Sequence, residues 1–191
     1  IFHPVSSPNA IARRADCNMV ADSIEHCEQT LMFTDIVGYS RLMGRNESLA
    51  VEMLGDYRRI LLSHIEQQGG QLVEFVGDAI FARFNTAPSA VAAAIAIQQH
   101  LLAFNEARDK KLPRLQTRIG LHKGEVMLRD GAVFGDSVNI AARLEPLAVA
   151  DGICISQTVY EEIRLTLSSP AKRLGLQSHK NIQQKIRVYF I

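Results

Sequence analysis

Apolar residues recur along the chain in two rhythms, and the alternation between them predicts the order of elements. Leu31 to Phe33 forms a short apolar run closed by the polar pair Thr34-Asp35, the pattern of a buried strand with a polar end. Ala50, Met53, Leu54, Tyr57, Ile60, Leu61 and Ile65 then repeat at helical spacing. Asn46 is placed to cap that helix, Glu47 suits its first turn, and Gly69-Gly70 ends it. From Gln71 to Phe84 an apolar stretch is broken only by Gly77-Asp78, which predicts two strands joined by a Gly-led tight turn. Pro88 suits the first turn of a second helix, Ala87 to about Arg108, carrying Ile95, Ile97, Leu101 and Leu102.

Thr117–Leu121 and Glu125–Leu128 read as two strands joined around His122-Lys-Gly124, with a turn at Arg129-Asp-Gly131. Phe134-Gly-Asp136 leads into a third helix, capped by Asp136 or Ser137 and ended by Pro146. A short strand at Ile153–Ile155, a helix from Gln157 to Arg164 and a strand from Ile186 to Ile191 complete the series. The resulting order, β-α-β-β-α-β with a C-terminal α/β extension, is a mixed α+β fold with a ferredoxin-like core. Residues 1–28, with Pro4, Pro8 and weak periodicity, read as a tail or linker, helical from Ala15 onward, so that the domain spans 29–191. Ile1 is not a start residue, which points to a longer parent chain with an upstream regulatory region.

Composition narrows the function classes. The 191 residues are 47% hydrophobic, enough for one good core, and 21 Lys and Arg against 20 Asp and Glu leave a formal net charge of +1. That balance argues against a nucleic-acid binder relying on a global positive field. Cys17, Cys27 and Cys154 have no ligand-like spacing and read as free thiols, which suits a reducing compartment such as the cytoplasm. No apolar run approaches the roughly 20 residues of a membrane span.

The chemistry concentrates in a few polar residues at element ends. Asp35 and Asp78 occupy adjacent strand ends in the expected fold, although Asp is common at such places for purely local reasons. Two hard carboxylates close together repel, and a Mg²⁺ or Mn²⁺ ion between them would remove that cost while taking its remaining ligands from phosphate oxygens. Gly38 permits close backbone approach to a ligand. Asn139 and Arg143, four apart on the third helix, share one face and could hold a phosphate and a sugar oxygen, where the alternative is a solvated surface pair. Lys180, Arg118 and Lys123 could each be ordinary surface charges.

Taken together, these motifs resemble the class III nucleotidyl cyclases, the adenylate and guanylate cyclase catalytic domain. The resemblance runs from about Thr30 to Ile191 and rests on four ordered motifs and a lysine. They are Phe33-Thr-Asp-Ile36 with Gly38, Gly77-Asp78, Arg118-Ile-Gly-Leu-His122 with Gly124, Phe134-Gly-Asp-Ser-Val-Asn-Ile-Ala-Ala-Arg-Leu144, and Lys180. It implies that Asp35 and Asp78 bind two Mg²⁺ or Mn²⁺ ions with help from the Ile36 carbonyl. It further implies that Asn139 and Arg143 hold the ribose and stabilise the transition state, and that Gly38, Lys180 and Arg118 bind phosphates. The family draws its metal ligands from one chain and its Asn and Arg from the partner, which implies a head-to-tail homodimer binding a nucleoside triphosphate.

The base is less uniform. Glu74, three residues before Gly77, stands where the family's adenylate cyclases carry Lys and its guanylate cyclases Glu, and a carboxylate would accept from the N1–H and amino group of guanine. Ala132, at the second base-reading position, favours neither base. The base rate among single-domain homodimers of this type favours ATP, with a guanylate cyclase or a catalytically weak regulatory module as the alternatives. A diguanylate cyclase would need a Gly-Gly-Asp-Glu-Phe hairpin, which the chain lacks. An RNA-binding sheet would need surface aromatics in a basic context, whereas Phe75, Phe81 and Phe84 read as core.

Overall fold

A computed structural model describes residues 24–167, 171–177 and 186–191. Its centre is a four-strand unit made of β1 (Glu25–Ile36), β2 (Gln71–Val76), β3 (Ala79–Phe84) and β4 (Thr117–Arg129). These lie in the order β2-β3-β1-β4, with β1 antiparallel to both β3 and β4. Helices α2 (Glu47–Gln67) and α3 (Ala87–Ala107) make the two crossovers. This is the split βαβ order of the expected ferredoxin-like core. Beyond β4 the sheet continues through β6 (Ile153–Ser156), β8 (Ile186–Phe190) and β7 (Lys172–Gln177), with α5 (Gln157–Ile163) between β6 and β7 in sequence. The short α1 (Tyr39–Met43), the strand β5 (Ala132–Phe134) paired to β4, and α4 (Asp136–Leu144) complete the described elements, with a 3₁₀ turn at Glu145–Leu147.

Strand alternation divides the sheet into two faces. Met32, Ile36, Ile80, Ala82, Phe84, Ile119 and Leu121 point into the main core with α2, α3 and α5. Leu31, Phe81 and Val126 point the other way, into a smaller cluster with Val133 and Ala141 of α4. Asp35 and Arg118 are cross-strand partners in the β1–β4 register, and by the same alternation both belong to the α4 side. The sheet therefore presents charged groups on the face that carries fewer helices.

Several expectations change in detail, beginning with Phe75, read as core but exposed on β2, while Phe81 and Phe84 are buried as expected. β1 begins at Glu25, inside the stretch read as tail, because Glu25 to Gln29 pair with Leu128 to Gly124. The helix expected from Ala15 lies outside the described residues up to residue 23. His122-Lys-Gly124 is no turn, since β4 runs unbroken for 13 residues and Lys123 and Gly124 pair with Thr30 and Gln29. Neither Asp136 nor Ser137 caps α4: Gly135 is the N-cap, and the Ser137 hydroxyl donates to the Glu125 carbonyl instead. Finally, α3 is long and apolar enough to cross a membrane by length and composition. Its Ala87, Ala90, Ala93, Ala94, Ile97 and Leu101 face is buried in the main core, as suits a core helix.

The other helix signals act as expected. The Asn46 side chain accepts from the Leu49 N–H, and Pro88 lies in the first turn of α3, where Thr86 caps by accepting from Ser89. Each such cap contributes on the order of 1 kcal/mol.

Candidate active site

Asp35, next to last in β1, lies on the α4 side of the sheet. Beneath it, the fully buried Tyr57 hydroxyl of α2 donates to Thr34 Oγ1 at 2.7 Å and lies 2.9 Å from Thr117 Oγ1. Thr117 Oγ1 in turn reaches the Asp35 carbonyl at 2.9 Å. The backbone carrying Asp35 is thus tied to both α2 and β4. Burial drives the Tyr57 phenol well above its ordinary range, so it stays a neutral donor.

Asp78 sits in the two-residue β2–β3 turn, which Gly77 opens at φ +63°, a conformation that favours glycine. Arg58 of α2 holds the turn by donating to the Gly77 carbonyl at 2.9 Å and lying 4.3 Å over the Phe75 ring. The Asp78 carboxyl is pushed up to about 6. Burial is the first cause, followed by a hydrogen bond shared with Asp35 and by the Asp35 charge, while the N–H groups of Asp78 and Ile36 pull it back. Two carboxyl groups in one cleft lie where a cation would relieve their repulsion, so the donor set fits a divalent ion. Among the described residues no cluster of three or more His, Cys, Asp or Glu side chains is placed to hold a metal.

Asp35, Ile36, Gly38, Asp78 and Arg118 line one cleft of about 370 Å³, together with Tyr39, Ser40 and Arg41. Gly38 enters it at φ +77°, just before α1. Arg118 bridges two acids: Nη2 donates to Asp35 Oδ2 at 2.6 Å, and Nε lies 2.8 Å from Glu145 Oε1. The second contact is an ion pair in which the N–H is not aligned on the oxygen, so both atoms are buried without a hydrogen bond. Glu145 is pushed up to about 7, chiefly by burial and further by the charges of Asp35 and Asp78, with Arg118 opposing.

A second cleft, of about 510 Å³, lies between the two hairpins and brings Glu74 together with Ala132, alongside Val73, Phe81, Asp130, Gly131, Val133 and Phe134. Residues 58 apart in sequence meet there because β5 folds back on β4 through Asp130-Gly131, both at positive φ. Glu74 is exposed and follows a register shift in β2.

Asn139 and Arg143 lie on α4 and line neither cleft. Asn139 is exposed, whereas Arg143 is half-buried with its Nη1 buried and unpartnered. Lys180 lies outside the described residues. Glu145 and the Tyr57–Thr34–Thr117 group were not singled out by the sequence patterns. A carboxylate two residues after Arg143 was visible, but its pairing with Arg118 depends on the chain turning back over β4.

That turn requires Gly120. A Cβ there would meet the Glu145 backbone nitrogen at 2.3 Å and its Cα at 2.8 Å, both main-chain atoms. The spacing Arg118-Ile-Gly120 therefore places the Glu145 backbone against β4, two residues along from Arg118.

The sequence profile described as the adenylate and guanylate cyclase catalytic domain matches residues 21–191. An adenylate cyclase of Anabaena cylindrica is 32% identical over 185 residues, covering 88% of this chain and 36% of that protein. Adenylate cyclase 1 of Rhizobium meliloti is 35% identical over 135 residues, covering 62% of this chain and 20% of its own length. The chain thus spans little more than a third, at most, of these two relatives. Among solved structures, an adenylate/guanylate cyclase/hydrolase from Silicibacter pomeroyi aligns at TM-score 0.82 and 41% identity, covering 88% of this chain and 98% of the other. With the fold and the profile in agreement over nearly the whole chain, this protein belongs to the adenylate and guanylate cyclase catalytic domain family.

Proposed function

We propose that this domain converts ATP to 3′,5′-cyclic AMP and pyrophosphate, using two Mg²⁺ or Mn²⁺ ions, as a head-to-tail homodimer. The observation that carries the reading is the cleft that Asp35, Ile36 and Asp78 line together with Arg118. Asp35, Asp78 and the Ile36 backbone would hold the ions, whose chemistry is to acidify the ribose 3′-hydroxyl and neutralise the triphosphate. Arg118, Gly38 and Lys180 bind phosphate oxygens in this reading. Asn139 orients the ribose, and Arg143 offsets charge that develops at the α-phosphorus.

Two features support the dimer. Asn139 and the unpartnered Arg143 Nη1 lie apart from the carboxylates, as residues meant for a neighbouring site would. Leu72, Phe75, Val76, Met127 and Phe134 are exposed on the two hairpins and offer an apolar surface for association.

ATP is favoured because the relatives reported above are named adenylate cyclases. Guanylate cyclase is the second reading, supported by Glu74 in the cleft it shares with Ala132, where a carboxylate would accept from the guanine edge. Purified protein with Mn²⁺ is expected to release cyclic nucleotide and pyrophosphate, and Asp35→Ala or Asp78→Ala to reduce turnover at least ~10²-fold. Absence of cyclic product from both triphosphates, at concentrations where the protein is dimeric, would refute the enzyme. Glu74→Lys is expected to shift the ratio of kcat/KM for ATP over GTP upward, and an unchanged ratio would remove Glu74 from base reading.

A further inference from the structure

Arg118 is held between two carboxylates that make different demands on it. Asp35 takes Nη2 in a short, well-formed hydrogen bond, whereas Glu145 lies against Nε by charge alone. A cation at Asp35 and the Arg118 guanidinium compete for the same carboxylate. Without a second anchor, an arginine displaced from Asp35 would be free to leave the cleft. With none competing, it would settle fully on Asp35 and oppose the ion. Glu145 is suited to prevent both outcomes, since its backbone is packed on Gly120 and its carboxylate is largely buried beside Nε.

We propose that Glu145 is a positioning residue that shares Arg118 with Asp35, so that a divalent ion can take Asp35 while Arg118 stays in the cleft with its Nη groups released toward the triphosphate. The proposal rests on the metal-binding role of Asp35 given above. It assigns Glu145 no contact with substrate or metal. The guanidinium carries five N–H groups, enough to keep Nε on Glu145 and turn the others to phosphate.

Mn²⁺ binding to the dimeric protein without nucleotide tests this, followed by electron paramagnetic resonance of the free ion at about pH 8, where the Glu145 carboxyl, pushed up to about 7, is ionised. Glu145→Gln keeps the side-chain shape and removes the competing charge, so Arg118 falls wholly to Asp35 and the Mn²⁺ dissociation constant rises about three- to tenfold. Arg118→Gln frees Asp35 and lowers that constant below the wild-type value. In the Arg118→Gln background, Glu145→Gln changes it by less than about twofold, because the coupling runs through the arginine. Weakening by Glu145→Gln that persists in that background would mean the carboxylate acts on the ion directly, and the proposal falls. It falls equally if Glu145→Gln leaves Mn²⁺ affinity unchanged or raises it.

Should Glu145→Gln not fold by circular dichroism, Glu145→Asp, which withdraws the carboxylate from Arg118 Nε, takes its place in both backgrounds. Weaker Mn²⁺ binding that disappears in the Arg118→Gln background supports the proposal, and unchanged binding, tighter binding or weakening that persists there overturns it. Wild-type protein that neither binds Mn²⁺ nor cyclises a triphosphate would instead refute the enzyme reading itself.

Discussion

Asp78 carries opposed demands. In the metal-free protein its carboxyl is raised from 3.8 to about 6, above the value it has in the unfolded chain. A group whose folded pKa is raised contributes stability that is present below the unfolded value and lost as pH climbs through the folded one. Metal-free wild-type protein should therefore lose stability from this group between pH 4 and about 7. Asp78→Asn removes that loss, so at pH 8 the metal-free variant should be more stable than wild type. The difference should be on the order of 1 kcal/mol after allowance for solvent screening of a carboxyl less than half buried. At pH 4 the difference should vanish, and the same variant should be inactive. Urea titrations at the two pH values without metal check this, and an equal difference at both would refute the raised Asp78 carboxyl. Proximity of Asp35 to Asp78 was legible from two strand ends; the third acid, Glu145, was not, because only the packing at Gly120 brings it there.

At the scale of elements, the site depends on how α4 and its 3₁₀ extension settle on β4. Gly120 allows the Glu145 backbone to touch the strand, and a methyl group in that gap meets main-chain atoms that cannot rotate aside. Gly120→Ala should cost about 2–3 kcal/mol in chemical denaturation, within the usual range for overpacking a close contact. A loss below about 0.5 kcal/mol would mean the contact relaxes freely. The order of these elements followed from periodicity, because helices and strands write different spacings into the chain. The misread turn at His122-Lys-Gly124 shows where that method fails. The sequence pattern reads these residues as the join between two strands, yet Gly124 is small because Ser137 packs against it, and Lys123 is paired with Glu28 and Glu162.

For the whole molecule, a single copy has the carboxylates in one cleft and Asn139 and Arg143 outside it. The proposed dimer supplies the missing halves to each site. Asp78→Ala and Asn139→Ala should each be inactive alone. Mixed in equal amounts, they should recover about a quarter of wild-type activity, since half the dimers are hybrid and each hybrid has one intact site of two. Assay of the mixture after subunit exchange checks this, and no recovery despite demonstrated exchange would refute the shared site.

The sequence by itself determined the order of the core strands and helices, the ferredoxin-like core and the family, because burial periodicity and the ordered Asp, Gly, Asn and Arg motifs are local properties of the chain. It split β4 in two and left α1, β5 and β7 out of that order. It also marked Glu74 and Ala132 as a pair, and the two do line one cleft. Only the tertiary structure decided that Arg118 spans Asp35 and Glu145, and that Tyr57 ties the end of β1 to α2 and β4. Such contacts join residues 23 to 83 positions apart. Charge and hydrogen bonding act through space, and no spacing rule along the chain encodes which groups a folded sheet will bring within 3 Å.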